Sequence, residues 1–306
     1  MIQSILTWAA AMAIAPFFAG VILKVKAFFG GKKGPPLFIH YYTLAKLFRK
    51  GSVYSNSTTF VFRLGPIVSL ASAMTVLLFV PIAGLAPVFS FHGDVILALY
   101  IMGIGRFFTI AAALDTASPF EGMGAAREAY FPIICEASFL MIVILFYKLT
   151  SDLNLSAWLG SGKPLLLWKT AGAPLIFIII ALFIILLAEN ARVPVDDPAT
   201  HLELTMIHEV MVLDHSGPDF ALIELGAYIK LLFYSAVIAR LLCPVGSGHP
   251  AMDGLLFFAA LIVIYGTVGV MESVVARYRM DRVPKFILTS FALAFFATIL
   301  TLEFTG

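Results

Sequence analysis

Two sets of ionisable residues stand in this chain where their apolar surroundings make charge expensive. The first is scattered through hydrocarbon-like runs: Arg106, Glu136, Glu189, Glu224, Lys230, Arg240 and Glu272. Charges at membrane depth are costly and default to a functional role. Burial raises a carboxylate's pKa and lowers that of a lysine, bringing both toward the neutral range where a proton carrier works. The chemistry on offer is proton transfer. Glu189, Glu224, Glu272 and Arg240 lie near the ends of their runs and also suit an interfacial or snorkelling position. Arg106, Glu136 and Lys230 sit deeper. For these, a buried ion pair that fixes helix packing stands beside a chain of titratable groups lining a wet path.

The second set is the stretch "AENARVPVDDPATHLELTMIHEVMVLDHSGPDF", residues 188–220. It holds seven carboxylates, Glu189, Asp196, Asp197, Glu203, Glu209, Asp214 and Asp219, with one Arg, Arg192. Asp197-Pro198 reads as a helix start, the Asp accepting from first-turn N–H groups and the Pro fitting the first helical position. From there Leu202, Met206, Glu209 and Leu213 form one helical stripe, and His201, Thr205, His208, Val212 and His215 its neighbour. The turn residues "HSGP" at 215–218 end it. The three His are seven residues apart, whereas a helical metal site uses spacings of three or four, so no metal is assigned. The acids 115, 121 and 128 and Arg127 precede the fourth apolar run and extend a polar route toward Glu136.

These groups need elements to position them. The chain has 306 residues, 61% hydrophobic and 12% charged, where a soluble domain carries about 25% charged residues. Its mean hydropathy is +0.99. This composition defines an all-α integral membrane protein, because a span must satisfy its backbone hydrogen bonds internally. Eight apolar runs are expected to cross, at approximately 4–23, 66–90, 94–114, 130–149, 172–189, 219–242, 251–272 and 285–303, forming a single transmembrane domain over 1–306. The first run has no basic residue before it and is read as a retained helix rather than a secretory leader. The loops 24–65, 115–129, 190–218 and 273–284 carry Lys24, Lys26, Lys32, Lys33, Lys46, Arg49, Lys50, Arg63, Arg127, Arg192, Arg277, Arg279 and Arg282, with Lys285 just beyond. The other side has Lys148, Lys163 and Lys169. The positive-inside rule therefore makes the long loops cytoplasmic and both termini external. Loop 24–65 has no acid, and on charge alone it suits either a topology signal with anionic-lipid contact or a docking surface. Cys135 and Cys243 fall near opposite faces, so no disulfide is expected. Two cysteines are also too few for an iron–sulfur cluster.

The stretch 188–228 resembles the signature loop of the membrane subunit that anchors the hydrophilic arm of respiratory complex I, the complex I subunit 1 family. The family pattern falls on Glu189, Arg192, Pro194, Asp196, Glu203, Leu204 and Gly217. "GGKKGPPLFIHYYTLAKLFRKGSV" (30–53), "FRLGP" (62–66), "RFFTIAAALDTASPFEGMGAAREA" (106–129) and "VARYRMDRVPKF" (275–286) are similar to the corresponding subunit of group 4 membrane-bound nickel–iron hydrogenases, of the formate hydrogenlyase type. The resemblance covers nearly the whole chain in order. It implies a non-catalytic subunit of an energy-converting complex in the prokaryotic cytoplasmic (inner) membrane, with no cofactor or metal of its own. Its partners would be hydrogenase-like large and small subunits with iron–sulfur clusters, either with a nickel–iron centre or of the related kind that lacks the nickel ligands, antiporter-like membrane subunits, and lipid. The assembly is an obligate hetero-oligomer, and nucleic acid is not a partner.

The proton-path candidates are Arg106, Glu128, Glu136, Glu189, Asp196, Glu203, Glu209, Glu224 and Lys230. The residues expected to dock the peripheral arm are Lys32, Lys33, Lys46, Arg49, Lys50, Arg192, Asp214 and Arg279. Two departures favour the hydrogenase branch. Ala227 stands where the complex I form has Glu before the sixth-span Tyr, with Glu224 nearby instead. Ile-His-Tyr-Tyr-Thr (39–43) replaces the Gln-Pro-Phe-Ala-Asp that helps shape a quinone chamber. A quinone-reactive complex I-type subunit and a stand-alone transporter are the alternatives. A transporter predicts paired repeats or broken spans in two halves, and no such pairing is visible.

Overall fold

A computed structural model describes residues 2–197, 206–243 and 250–305. Within them the chain is helical without strands: α1 (Ile2–Phe29), α2 (Ile39–Phe48), α3 (Phe60–Leu77), α4 (Asp94–Asp115), α5 (Pro119–Thr150), α6 (Leu155–Leu159), α7 (Lys163–Glu189), α8 (His208–Met211), α9 (Gly217–Leu242), α10 (Pro250–Val274) and α11 (Val283–Thr305). Eight of these are long and apolar enough to cross a bilayer, namely α1, α3, α4, α5, α7, α9, α10 and α11. Helix α9 is the axis of the bundle. It packs on α1, α2, α3, α7 and α10, while α11 closes the far side against α5 and α7.

Three expectations about boundaries are corrected. The second span is Phe60–Leu77, not 66–90. Beyond it, Pro81 and Pro87 withhold backbone donors, and Ala83 and Gly84 take positive φ, so the segment cannot continue as a helix. At the other end, Thr59 caps the helix: its side chain accepts from the Val61 N–H, and the Asp115 carboxylate accepts from the Thr59 N–H at 2.6 Å. The loop expected over 115–129 shrinks to 116–118, because α5 begins at Pro119 and runs 32 residues. Such a helix is about 48 Å long against a hydrocarbon core of about 30 Å, so its first turns stand clear of the membrane. Glu136 thereby lies deep in α5, further from its start than the apolar run alone implied.

The third correction concerns the amphipathic helix expected after Asp197. Pro198, His201, Leu202, Glu203 and Thr205 lie outside the described residues. The described remainder holds one turn of helix, α8, and leaves it at Val212.

The connections sort into two faces. On one, the segments 30–59, 190–197, 206–216 and 275–282 and the first turns of α5 are tied together: the Val53 N–H donates to Ser216 Oγ, the Tyr278 N–H to the Pro194 carbonyl, and Arg127 to the Met206 carbonyl. On the other, the Gly93 N–H donates to the Leu153 carbonyl and the Leu155 N–H to the buried Asp94 carboxylate. Both cysteines are free thiols.

On the first face the chain after α1 folds back over that helix and sets α2. The crossing depends on Gly20, where a Cβ would run into the Leu37 carbonyl oxygen. Gly20→Ala is therefore expected to lower stability by about 1–3 kcal/mol, the usual cost of overpacking. Gly103, in α4, has open space around it and a helical φ. Gly103→Ala should be neutral or stabilising in the same thermal unfolding measurement. Equal losses at both sites would contradict this packing.

Candidate functional site

Glu189 is the last residue of α7, which ends because Asn190 and Ala191 leave helical geometry, Ala191 at φ 48°. The Arg192 N–H returns to the Leu187 carbonyl and closes the helix end. That termination leaves the Glu189 carboxylate inside the bundle, its side chain 2% exposed. A bare carboxylate there would cost several kcal/mol of lost hydration. Two cations from other helices compensate. Arg106 Nη2, from α4, donates to both carboxylate oxygens at 2.9 Å, and Lys230 Nζ, from α9, donates at 2.9 Å. Lys230 also donates to the Glu189 backbone carbonyl at 2.6 Å. The other arm of the guanidinium reaches Glu136 on α5, Nη1 to Oε1 at 2.5 Å. The four side chains form one charge-balanced chain, Lys230–Glu189–Arg106–Glu136.

A cavity of about 70 Å³ lies against this chain, lined by Arg106, Glu128, Glu189, Asn190, His208 and Lys230 and by Ser69, Ser72 and Thr109. Gly105 and Gly226 in its wall contribute no side chain to fill it. It has room for a few water molecules, each of which needs about 10–15 Å³.

A second cavity of about 230 Å³ opens toward the loops. Its wall includes Lys26, His40, Arg192, Asp196, Glu209, Glu224, Tyr228 and Glu272. The two cavities share Asn190, Ala191, His208, Ile223 and Ala227. Asn190 and His208 thus line both cavities, and Arg106 and Glu189 lead from the first to Glu136.

The second cavity is held open by ion pairs. Glu272, its side chain 1% exposed, receives Lys26 at 2.9 Å and Arg192 at 3.2 Å. Asp196 pairs with Arg277 at 2.9 Å and accepts from the N–H groups of Asp197, Ile207 and His208. This carboxylate therefore pins the two described edges of the acidic stretch together. Tyr228 donates its hydroxyl proton to Glu224 and shares a 2.7 Å hydrogen bond with His40 Nδ1. Burial pushes the Glu209 carboxyl up, opposed by His208, and burial pushes the His40 imidazole down, opposed by Glu224.

The sequence-derived candidates divide as follows. Arg106, Glu136, Glu189 and Lys230 meet in the first chain; Asp196, Glu209 and Glu224 line the second cavity, and Glu128 the first. Glu203 lies outside the described residues. Of the docking candidates, Lys32, Lys33, Lys46, Arg49 and Lys50 are exposed. Arg279 is exposed and pairs with Asp281 at 3.3 Å. Asp214 is exposed, and its N–H donates to buried Glu121. Arg192 is a correction: it turns inward onto Glu272 instead of outward to a partner. Sequence reasoning missed His40 and Tyr228 as site residues and left Glu272 at an interface. Their signal was weak, since each sits beside its partner only after helices distant in sequence have packed. Among the described residues no three His, Cys, Asp or Glu gather to hold a metal ion.

Fold and site define a class: a multi-pass helical membrane protein with a buried, charge-balanced set of titratable groups open to one face. The comparisons are more specific. The NADH dehydrogenase family matches residues 2–302, and the chain belongs to that family. Formate hydrogenlyase subunit 4 of Escherichia coli is 27% identical over 294 residues, covering 94% of each chain. Hydrogenase-4 component C of the same organism is 25% identical, covering 94% of this chain and 91% of that one. A subunit of the NADH-quinone oxidoreductase of Burkholderia vietnamiensis is 25% identical over 247 residues, covering 76% of this chain and 68% of that one. A chain in the structure of the membrane-bound sulfane sulfur reductase, an archaeal respiratory membrane complex, shares the fold with a TM-score of 0.79 at 18% identity, with 98% of both chains covered.

Two measurements probe the site. Arg106→Gln leaves Glu189 and Glu136 without their shared cation, and breaking a buried pair costs about 3–5 kcal/mol. The double variant Arg106→Gln, Glu189→Gln should lose less than the sum of the two single losses in denaturant unfolding; strict additivity would mean the pair is not coupled. A pH effect follows from His215, which stacks on Phe62 at 4.0 Å and whose pKa burial lowers from 6.5 to about 4. Below pH 6.5 the unfolded chain takes up a proton that the folded chain refuses, so stability falls until about pH 4 and this contribution then levels off. His215→Phe keeps the stack and should flatten that part of the pH–stability curve; an unchanged slope would remove His215 as its source.

Proposed function

We propose that this chain is a non-catalytic membrane subunit of an energy-converting, hydrogenase-like oxidoreductase complex of the inner membrane. It seats a peripheral redox module on its loop face and couples electron transfer there to ion translocation through its buried charges. The single observation that carries this is the pair of adjoining cavities that share Asn190 and His208 and lead from the loop face to Glu189, Arg106 and Glu136. The kinship with formate hydrogenlyase and hydrogenase-4 subunits supports the hydrogenase side of the family.

The loop face is cytoplasmic in this proposal, with both termini outside, because its segments hold most of the Lys and Arg. The exposed Lys32, Lys33, Lys46, Arg49 and Lys50 offer a basic surface to the redox module. That module would include hydrogenase-like large and small subunits carrying iron–sulfur clusters and a nickel–iron centre. At the other end, the Glu136 side chain is 43% exposed in the middle of a span. A carboxylate facing lipid is costly, so this side of α5 suits a polar membrane neighbour of the antiporter-like kind.

The chemistry divides among the residues. Asp196 and Glu272 hold the loop cavity in shape. Glu209 and Glu224 exchange protons at its wall. Glu189 is the charge whose pairing with Arg106 and Lys230 changes when a proton arrives, and Glu136 passes the change sideways. Protons are the coupling ion favoured by this set of carboxylates. In the assembled complex reconstituted in liposomes, Glu189→Gln is expected to abolish ion movement driven by electron flow while the peripheral module stays bound. Undiminished translocation in that variant would reject the path.

A further inference from the structure

Tyr228 presents one hydroxyl to two partners, and one proton cannot serve both. On one side is Glu224 Oε2, one helical turn earlier on α9. On the other is His40 Nδ1 at 2.7 Å, with the two rings 4.9 Å apart. When Tyr228 donates to Glu224, its oxygen is left to accept from a protonated Nδ1. When Glu224 carries the proton, the carboxyl donates to Tyr228, and Tyr228 donates to a bare Nδ1. The two arrangements differ by the passage of one proton along three residues and require no rotation of a ring.

His40 stands at the head of this short chain. It belongs to α2, which is fixed to α1 by the Tyr41 hydroxyl donating to the Ala13 carbonyl at 2.5 Å and by the close crossing at Gly20. Its imidazole lines the loop cavity, and its Nε2 is buried without a hydrogen-bond partner of normal geometry. The charged and titratable groups on that cavity wall are Glu224 on α9, Glu209 and His208 on α8, Arg192 and Asp196 before it, Lys26 on α1 and Glu272 on α10. Lys26 and Arg192 are occupied by Glu272. Asp196 is occupied by Arg277 and by backbone donors. Of this wall, His40 is the group that touches the Tyr228–Glu224 pair.

We propose that His40, Tyr228 and Glu224 form the proton-loading step of the path, with His40 taking a proton from the loop cavity and passing it through Tyr228 to Glu224. The step balances. The N–H bond at His40 Nδ1 breaks as a new O–H bond forms at Tyr228, whose original O–H bond breaks as one forms at Glu224 Oε2. Imidazolium becomes imidazole, carboxylate becomes carboxylic acid, and the tyrosine ends as it began. The inference rests on the proposal that this chain conducts protons.

The test uses the assembled complex in liposomes, started by a pulse of electron donor, with proton uptake from the loop side followed by a pH dye. His40→Gln and Tyr228→Phe are expected to slow uptake roughly 100-fold, the usual worth of a positioned acid–base group, while thermal unfolding stays near wild type. His40→Gly should be slowed likewise and recover on addition of imidazole. Uptake at the wild-type rate in both His40→Gln and Tyr228→Phe overturns the loading step and leaves the coupling function standing. A slowed His40→Gly that imidazole does not restore also overturns it, because His40 then acts through structure alone. If His40→Gln does not assemble, Tyr228→Phe, which removes a single oxygen, decides the matter by itself. No uptake by the unmodified complex during electron flow removes the coupling function, and this step with it.

Discussion

The structure depends on the burial of one carboxylate. Glu189 sits at the meeting of α7, α4 and α9, where Arg106 and Lys230 reach it from two sides. Each helix is apolar enough to remain in the membrane without the others, so packing is not specified by a general wish to leave water. Three charges that must meet are a much stronger instruction. They set the rotation of α4 so that Arg106 faces inward and the height of α9 through Lys230, and they meet where α7 stops at Glu189. The cavity lies beside them, where Gly105 and Gly226 let α4 and α9 close tightly on α3.

The loop face repeats the principle with different partners. Glu272 ties α1 and the segment after α7 to α10, and Asp196 ties that segment to Ile207, His208 and Arg277. Each is a carboxylate almost without exposure that accepts from two or more donors. These carboxylates act together with local apolar packing, since Val195 and Ile207 join the main core and Met211 and Val212 pack on Ala113, Ala125 and Ile223. Of the described acids in the stretch, Glu189, Asp196 and Asp219 are buried and Asp214 is exposed, while Lys32, Lys33, Lys46, Arg49 and Lys50 put exposed basic charge on and around α2.

Kinship and geometry bear on different questions. Membership of the NADH dehydrogenase family covers nearly the whole chain, and the shared fold extends to a chain of an archaeal respiratory membrane complex at low identity. The half-exposed Glu136 ends the buried charge chain at the bundle's flank.

The amino-acid sequence determined the spans, their number and the class of protein, because a bilayer admits only segments whose backbones satisfy themselves and whose side chains are apolar over about 20 residues. It also singled out Arg106, Glu136 and Lys230, since charge inside such a segment is visible without knowing any contact. Two helix ends departed from the hydropathy pattern where turn chemistry overrode it: Pro81, Gly84 and Pro87 cut α3 short, and Pro119 let α5 begin early. What only the tertiary structure decided was pairing. Glu189 and Glu272 looked like span ends near an interface and proved to have almost fully enclosed carboxylates. Arg192 looked like a surface contact and turned inward, and His40 met Tyr228 from a helix 188 residues away in sequence. Local periodicity records which residues share a face of one helix. It does not record how helices are rotated against each other, and for charges drawn from four or five helices that rotation is the whole of the site.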